Sequence, residues 1–341
     1  MIGRLGSARM SSIWSALRRA LLDLPRAVPA MSALTLTVST VDPNSSGEQP
    51  SQPALRRHAR YWLDDGSLIV RAQDDIYKVH RTLLHRQSKL LASLNPSSDT
   101  EKSPGKTVDG LVVVHIPDEL EVRSEDFEAL LEHLYHDAPL NDSSSFPQVA
   151  SVLRASSKEQ LDFPAIHALA RNRLEQLFPT EPKPSFTSKH SEEALTLAVK
   201  HDIPSIRKAL YYSLATHSHD HDNDPADPPS QPHRPTLAPE LAARCDTLLE
   251  QLIAHFTPIL FTVATAGHMA CTDVFAEQWM PLVIQPALDD NGLCRPLETL
   301  ERIIRIDWAK EGLCEECVRE KTAEWRAEQQ DVWEKMDRWL G

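Results

Sequence analysis

The 341 residues carry 36 Lys plus Arg against 49 Asp plus Glu, a formal net charge of −13, and 41% are hydrophobic. That length exceeds one ordinary domain of ~100–150 residues, and the apolar fraction excludes a chain disordered throughout. Ten Gly stand beside 25 Pro. With no Gly-x-Gly-x-x-Gly, and with Gly105-Lys106-Thr107 lacking the Gly five positions earlier that completes a phosphate loop, the common phosphate-loop enzymes are excluded, and so acidic a chain lacks the dense Lys/Arg footprint that nucleic acids require.

The charge is unevenly spread. Residues 1–60 hold Arg4, Arg9, Arg18, Arg19, Arg26, Arg56, Arg57 and Arg60 against Asp23, Asp42 and Glu48, a net +5, so the remainder carries −18. Within this leader Ile13, Trp14, Leu17, Leu21 and Leu22 share one helical face. The plainer reading is a mostly disordered, dispensable leader, with Met10 or Met31 as alternative starts. An Arg-rich, acid-poor mitochondrial transit peptide is the alternative. No uninterrupted apolar run ending at a cleavage site marks a secretory signal. Residues 42–53 are a low-complexity linker.

Order is expected from Tyr61. Ser67–Val70 and Ile76–Val79 predict two paired strands around the turn Gln73-Asp74-Asp75. Arg81–Leu94 has Leu83, Leu84, Leu90, Leu91 and Leu94 at helical spacing, and 95–109 is a polar insertion. Leu111–Ile116 predicts a third strand stopped by Pro117. Ser124 is the expected N-cap of a helix carrying Phe127, Leu130, Leu131, Leu134 and Tyr135. Further helices are predicted at 146–155 and 163–178, after which three prolines within 179–185 close the first domain. Beyond them only helices are expected: 191–201, 203–216, and several more from Leu237. A His/Asp/Pro linker at 217–236 interrupts them, carrying His217, His219 and His221. The fold class that follows is α+β, then all-α.

Three blocks in the first domain carry a resemblance. Asp65-Gly-Ser-Leu-Ile-Val is followed by Ile76-Tyr-Lys-Val79-His80-Arg81-x-x-Leu84-x-x-x-Ser88-x-x-Leu91. Next come Val114-His-Ile-Pro117 and Phe127-x-x-Leu130-Leu131-x-x-Leu134-Tyr135, then Val152-Leu153-Arg-Ala155-Ser-x-Lys158-x-Gln160-Leu161. Over residues 61–179 this resembles a BTB/POZ domain, of the type abundant in mushroom-forming fungi. The resemblance implies a small sheet covered by helices, followed here by a helical domain at 186–341. It implies homodimerisation and recruitment of other proteins, a cullin of a ubiquitin ligase among them, with transcriptional or scaffolding regulation as the alternative. Arg81 contributes to a charged groove in some members; a solvated helix-start charge is the plain alternative. Leu91 stands where the family commonly has Phe, and Asp137 where it has a small residue. The residues themselves read as structural: Leu84, Leu91, Phe127, Leu131 and Tyr135 form an apolar face, and His80, between strand and helix, is placed to bond a backbone group.

The last third holds all five cysteines, an odd number, which points to an intracellular protein of cytoplasm or nucleus rather than a secreted disulfide framework. His268-x-x-Cys271 and Cys314-Glu-Glu-Cys317 have the spacing that lets two ligands reach one tetrahedral zinc, with Cys294 as a substitute for His268. Their separation of more than forty residues favours reduced thiols packed in the domain and no resident cofactor, a structural zinc being the alternative. A redox Cys-x-x-Cys lacks its surrounding βαβ pattern. Residues 251–272 contain no Asp, Glu, Lys or Arg, yet Pro258 and two His argue for a buried helix pair broken near Pro258 rather than a membrane span. Residues 311–340 predict a charged helix whose stripe of Val318, Trp325, Val332, Met336 and Trp339 packs on its own domain. No nucleophile elbow, zincin helix or phosphate loop appears, so no enzyme is expected, a zinc metalloenzyme being the minor alternative.

Overall fold

The computed structural model describes residues 55–93, 107–181, 189–217 and 237–341. The leader of residues 1–54, most of the 95–109 insertion, the stretch 182–188 and the His219/His221 linker lie outside the described residues. The described residues fall in one compact unit within Pro53–Gly341.

The class is α+β: a small sheet and a majority of helices. Strands β1 (Arg56–Trp62), β2 (Leu68–Ala72), β3 (Asp75–Val79), β4 (Thr107–Val108) and β5 (Leu111–His115) run in the order β1-β3-β2-β5-β4. The expected β2–β3 pair is present, antiparallel from Leu68↔Val79 to Ala72↔Asp75. Central β2 is buried at every position but Arg71, as its apolar run requires. Edge strand β1 pairs parallel with β3 and was not foreseen. Its Arg56, Arg57 and Arg60 hide the strand signal, and charged side chains are what protects an edge from further pairing. Gly66 is fixed by packing, because a Cβ there would stand 2.9 Å from the Lys78 carbonyl carbon and oxygen.

Two predicted elements differ in detail. The helix expected over 81–94 is two short helices, α1 (Arg81–His85) and α2 (Lys89–Ser93). The break falls at Ser88, whose hydroxyl donates to the Leu161 carbonyl (2.5 Å) and accepts the Leu91 N–H (3.0 Å), so it starts a new helix instead of continuing the old one. In α3 (Ser124–Leu134) Arg123, not Ser124, is the N-cap. The Ser124 hydroxyl is spent on the Ala72 carbonyl (2.9 Å), which ties the helix start to the end of β2.

Helix α4 (Phe146–Ser156) packs on α3 and α5 (Pro164–Gln176) packs on α4, then α6 (Ser191–Lys200) and α7 (Pro204–His217) follow and pack on each other. One apolar core runs from Tyr61, Val70 and Tyr77 of the sheet through Phe127, Leu131 and Leu153. It continues across the Pro-rich stretch to Leu195, Leu210, Leu248 and Val332. Asp126 is fully buried inside α3. Arg154 donates to it through Nε and Nη2 (3.0 and 2.8 Å), Arg123 donates two more bonds, and the remaining Arg154 nitrogen, Nη1, donates to Glu193 of α6 (2.6 Å). Burial alone would raise the Asp126 carboxyl, but its hydrogen bonds and charge pairing with Arg154 hold it below the usual carboxylate range.

The last third forms a second core. Helix α8 (Pro239–Phe261) runs through Pro258 and ends four residues later, at Thr262. The expected break near Pro258 is thus displaced: proline removes one N–H bond, while the Thr262 N–H still bonds the Pro258 carbonyl (3.2 Å). Helix α9 (Met269–Trp279) passes into one π-type turn (Met280–Ile284), where Pro281 removes one N–H donor and Pro286, just beyond it, removes another. Helices α10 (Gln285–Asp289), α11 (Pro296–Arg305), α12 (Trp308–Glu311) and α13 (Glu315–Leu340) complete the chain. Phe256, Cys271, Phe275, Trp279, Trp308, Cys317 and Trp325 are buried together. As expected, α13 packs against the rest of the unit, burying Trp325, Val332 and Met336, with Cys317 and Trp333 added to the predicted stripe.

Candidate metal centre

The second core is closed at its surface by four side chains from two helix starts. His268 is the N-cap of α9 and Cys271 lies in its first turn; Cys314 is the N-cap of α13 and Cys317 lies in its first turn. In both cases the two-residue spacing puts the cap residue and the first-turn residue on one side of the helix end, and the positive end of the helix dipole favours thiolates there. Their ligand atoms all lie within 4.8 Å of one another. His268 Nδ1 is 3.2 Å from Cys314 Sγ and 3.4 Å from Cys317 Sγ, and Cys271 Sγ is 3.7 Å from Cys314 Sγ. The group can therefore hold a metal ion.

Local structure aims these atoms. The Thr272 hydroxyl oxygen accepts the Ala266 N–H (3.0 Å) and hydrogen-bonds the His268 carbonyl (3.2 Å), folding the uncharged 262–268 segment back on α9. Gly312, at φ +111°, turns the chain out of α12 and into Cys314, in a region that L side chains rarely adopt. The His268 ring makes no cap bond to its own helix, because it is turned toward the thiols.

The electrostatics follow from these bonds. The Cys314 thiol is lowered to about 6, first by the backbone N–H of Cys317 and then by the hydrogen bond with His268. That hydrogen bond also raises the His268 imidazole. Cys317 is pushed up to about 11, first by its burial and then by the Cys314 sulfur, while the His268 backbone N–H opposes the shift. Both ends of the thiol pair thus receive backbone N–H groups, the donors that stabilise sulfur in its ligating form.

Cys294 is not part of the group. It is half-buried in the turn before α11, its thiol raised by burial; Cys245 is buried in α8 and raised to about 12 for the same reason. The two sequence spacings thus come together in one group that could hold a metal ion, while the substitute Cys294 is held elsewhere. His255, Glu328 and Asp331 also come together, bridging α8 and α13, with His255 Nε2 2.9 Å from Glu328 and Lys335 paired to Asp331.

The motif residues of the first region lie around the sheet. Val79, Leu84, Ser88, Leu91, Phe127 and Leu131 are buried, whereas Asp65 and Arg81 are exposed. Tyr135 is half-buried beside His80. The expectation for His80 is corrected in its partner: its ring bonds side chains, with Nδ1 3.0 Å from the Tyr135 hydroxyl and Nε2 3.1 Å from Asp65. The His80 backbone N–H donates to the same hydroxyl (3.0 Å). A chain Asp65–His80–Tyr135 thus joins the loop before β2, the start of α1 and the end of α3.

Two buried polar groups left no sequence signal, the Asp126–Arg154 pair and a histidine pair. His167 Nε2 of α5 lies 3.3 Å from His201 Nδ1 at the end of α6. Burial lowers His201 to about 4, helped by the charges of His167 and Lys200.

The chain matches no family model and no curated protein. Among the described residues no helix is long and apolar enough to cross a membrane.

Proposed function

We propose that this chain is a protein–protein interaction module. Its first region works as a BTB/POZ-type domain that self-associates and recruits partners, and His268, Cys271, Cys314 and Cys317 hold a structural zinc that secures the second. The observation that carries the interaction reading is the division of labour within the motif residues. Val79, Leu84, Leu91, Phe127 and Leu131 are wholly spent on packing, while Asp65 and Arg81 stay on the surface. That is the distribution of a surface built for contact, and no cleft chemistry is assigned to it.

The zinc reading rests on ligand geometry. Bonds of ~2.3 Å to sulfur and ~2.0–2.1 Å to nitrogen give a tetrahedron with edges of roughly 3.8 Å between sulfurs and roughly 3.6 Å between sulfur and nitrogen. The distances of 3.7, 3.4 and 3.2 Å suit those edges. Three thiols and one imidazole are a soft donor set that favours zinc over magnesium or calcium. Four protein ligands fill the coordination sphere, which argues for a structural ion and against the metalloenzyme alternative, since catalysis needs an open position.

Within the interaction reading, a substrate adaptor for a cullin-based ubiquitin ligase co-purifies with a cullin scaffold from native cells, whereas a transcriptional or scaffolding regulator is nuclear and cullin-free. Light scattering tests the self-association: the full chain at micromolar concentration is expected at twice its 38.3 kDa mass. A monomer under those conditions overturns it.

A further inference from the structure

We infer that the four-ligand group is a peroxide-sensitive clasp in which a disulfide between Cys271 and Cys314 replaces the zinc. The inference rests on the zinc reading above and adds to it a regulation of the same site. Its basis is the uneven exposure of the ligands. His268 is exposed and Cys314 is half-buried at the surface, while Cys271 and Cys317 are 5% and 1% exposed. A small oxidant therefore meets one sulfur first, and that sulfur already has a second one 3.7 Å away on the other helix.

The chemistry balances with hydrogen peroxide as the oxidant. The Cys314 thiolate attacks one peroxide oxygen, an S–O bond forms and the O–O bond breaks. Hydroxide leaves and is neutralised to water by one of the two protons supplied by the buffer, and the sulfur is oxidised by two electrons to a sulfenic acid. The Cys271 thiolate then attacks that sulfur: the S–S bond forms, the S–O bond breaks, and the departing hydroxide is protonated to water. The sum is two thiolates, one peroxide and two protons giving one disulfide and two waters. Zinc leaves as the divalent ion, its oxidation state unchanged, because two of its four ligands are consumed.

The exchange has a structural consequence. Cys271 belongs to the start of α9 and Cys314 to the start of α13, so the disulfide ties the same two helix ends that the ion ties. The core of Phe275, Trp279, Trp308 and Trp325 beneath them stays closed while the ion is delivered to solution. A bond within the Cys314–Cys317 pair would instead leave α9 untied.

Full-length protein loaded with one equivalent of zinc and treated with one equivalent of hydrogen peroxide tests this. The expected result is release of the zinc to a colorimetric chelator, in step with a dithiothreitol-reversible link between the peptides bearing Cys271 and Cys314. Lys310 and the further tryptic sites around it put those two cysteines on separate peptides. A Cys245→Ser/Cys294→Ser double variant is expected to respond identically, since neither sulfur is in the group. Zinc retained with all four ligands still unoxidised overturns the clasp and leaves the zinc reading standing, as does release with the disulfide formed between any other pair. A chain that takes up no zinc before peroxide is added fails the zinc reading itself.

Discussion

The two cores of this unit solve the same problem by different means. The core that begins at the sheet is closed by apolar packing from many elements, and its fully buried carboxylate, Asp126, is held by two arginines. The core under α9 and α13 draws on fewer elements and depends on aromatic rings, with Phe275, Trp279, Trp308 and Trp325 in mutual ring contact. Its rim is where the His268–Cys317 group lies. A small core gains most from a cross-link that joins distant segments, because less apolar surface is available to offset the entropy of ordering the chain. The contrast teaches where the proposed zinc would be worth most: at the edge of the smaller core, between helices whose starts are more than forty residues apart in sequence.

Variants in the first core should break it by burying charge, without involving metal. The largest effect is expected for Phe127→Asp, which places an unpaired carboxylate at a fully buried position and costs several kcal/mol. Circular dichroism should show no cooperative unfolding transition; a native-like melt contradicts the packing described. Next comes Arg154→Ala. It strips Asp126 of its main partner and Glu193 of its bond to α4, a loss of about 3 kcal/mol for breaking a buried pair. Urea denaturation measures it, and a shift no larger than that of a surface substitution would refute the pair's role.

A smaller effect separates the regions by pH. Folding lowers the His201 imidazole to about 4 from an ordinary 6.5, so the folded chain favours the neutral ring. Its contribution is fully present above pH 6.5 and is lost as pH falls toward 4, on the order of 2 kcal/mol across that window. His167, Glu159, Arg171, Lys200 and Arg154 surround the pair and set the size of the shift. Stability measured between pH 7 and 4 should fall more steeply in the native chain than in His201→Gln. Equal slopes would remove the histidine pair from the account.

How far these features could be read beforehand depends on the distance over which they are specified. The β2–β3 pair and β5 were legible, because short, mainly apolar runs bounded by turn residues encode a buried strand locally. β1 was not, since its arginines read as linker until a neighbouring strand accepts it. The split between α1 and α2 depends on a carbonyl 73 residues away, at Leu161, and helical spacing carries no trace of that partner. The same holds for Asp126, an ordinary acidic residue in a first helical turn until Arg154 reaches it. The candidate metal group was half legible: each two-residue spacing stood in the sequence, but the convergence of two helix starts did not, and the separation of the pairs favoured reduced thiols packed in the domain over a shared zinc. What brings them together is the fold of the 262–268 segment and the reversal at Gly312, both tertiary.

The most direct measurement is the zinc content of purified full-length protein by elemental analysis, alongside a His268→Ala/Cys271→Ser/Cys314→Ser/Cys317→Ser variant. The account predicts about one zinc per chain in the native protein, none in the variant, and a loss of the near-ultraviolet tryptophan signal when the ion is chelated. Native protein that carries no zinc after expression with added zinc, or whose tryptophan signal is unmoved by removing it, would contradict the account.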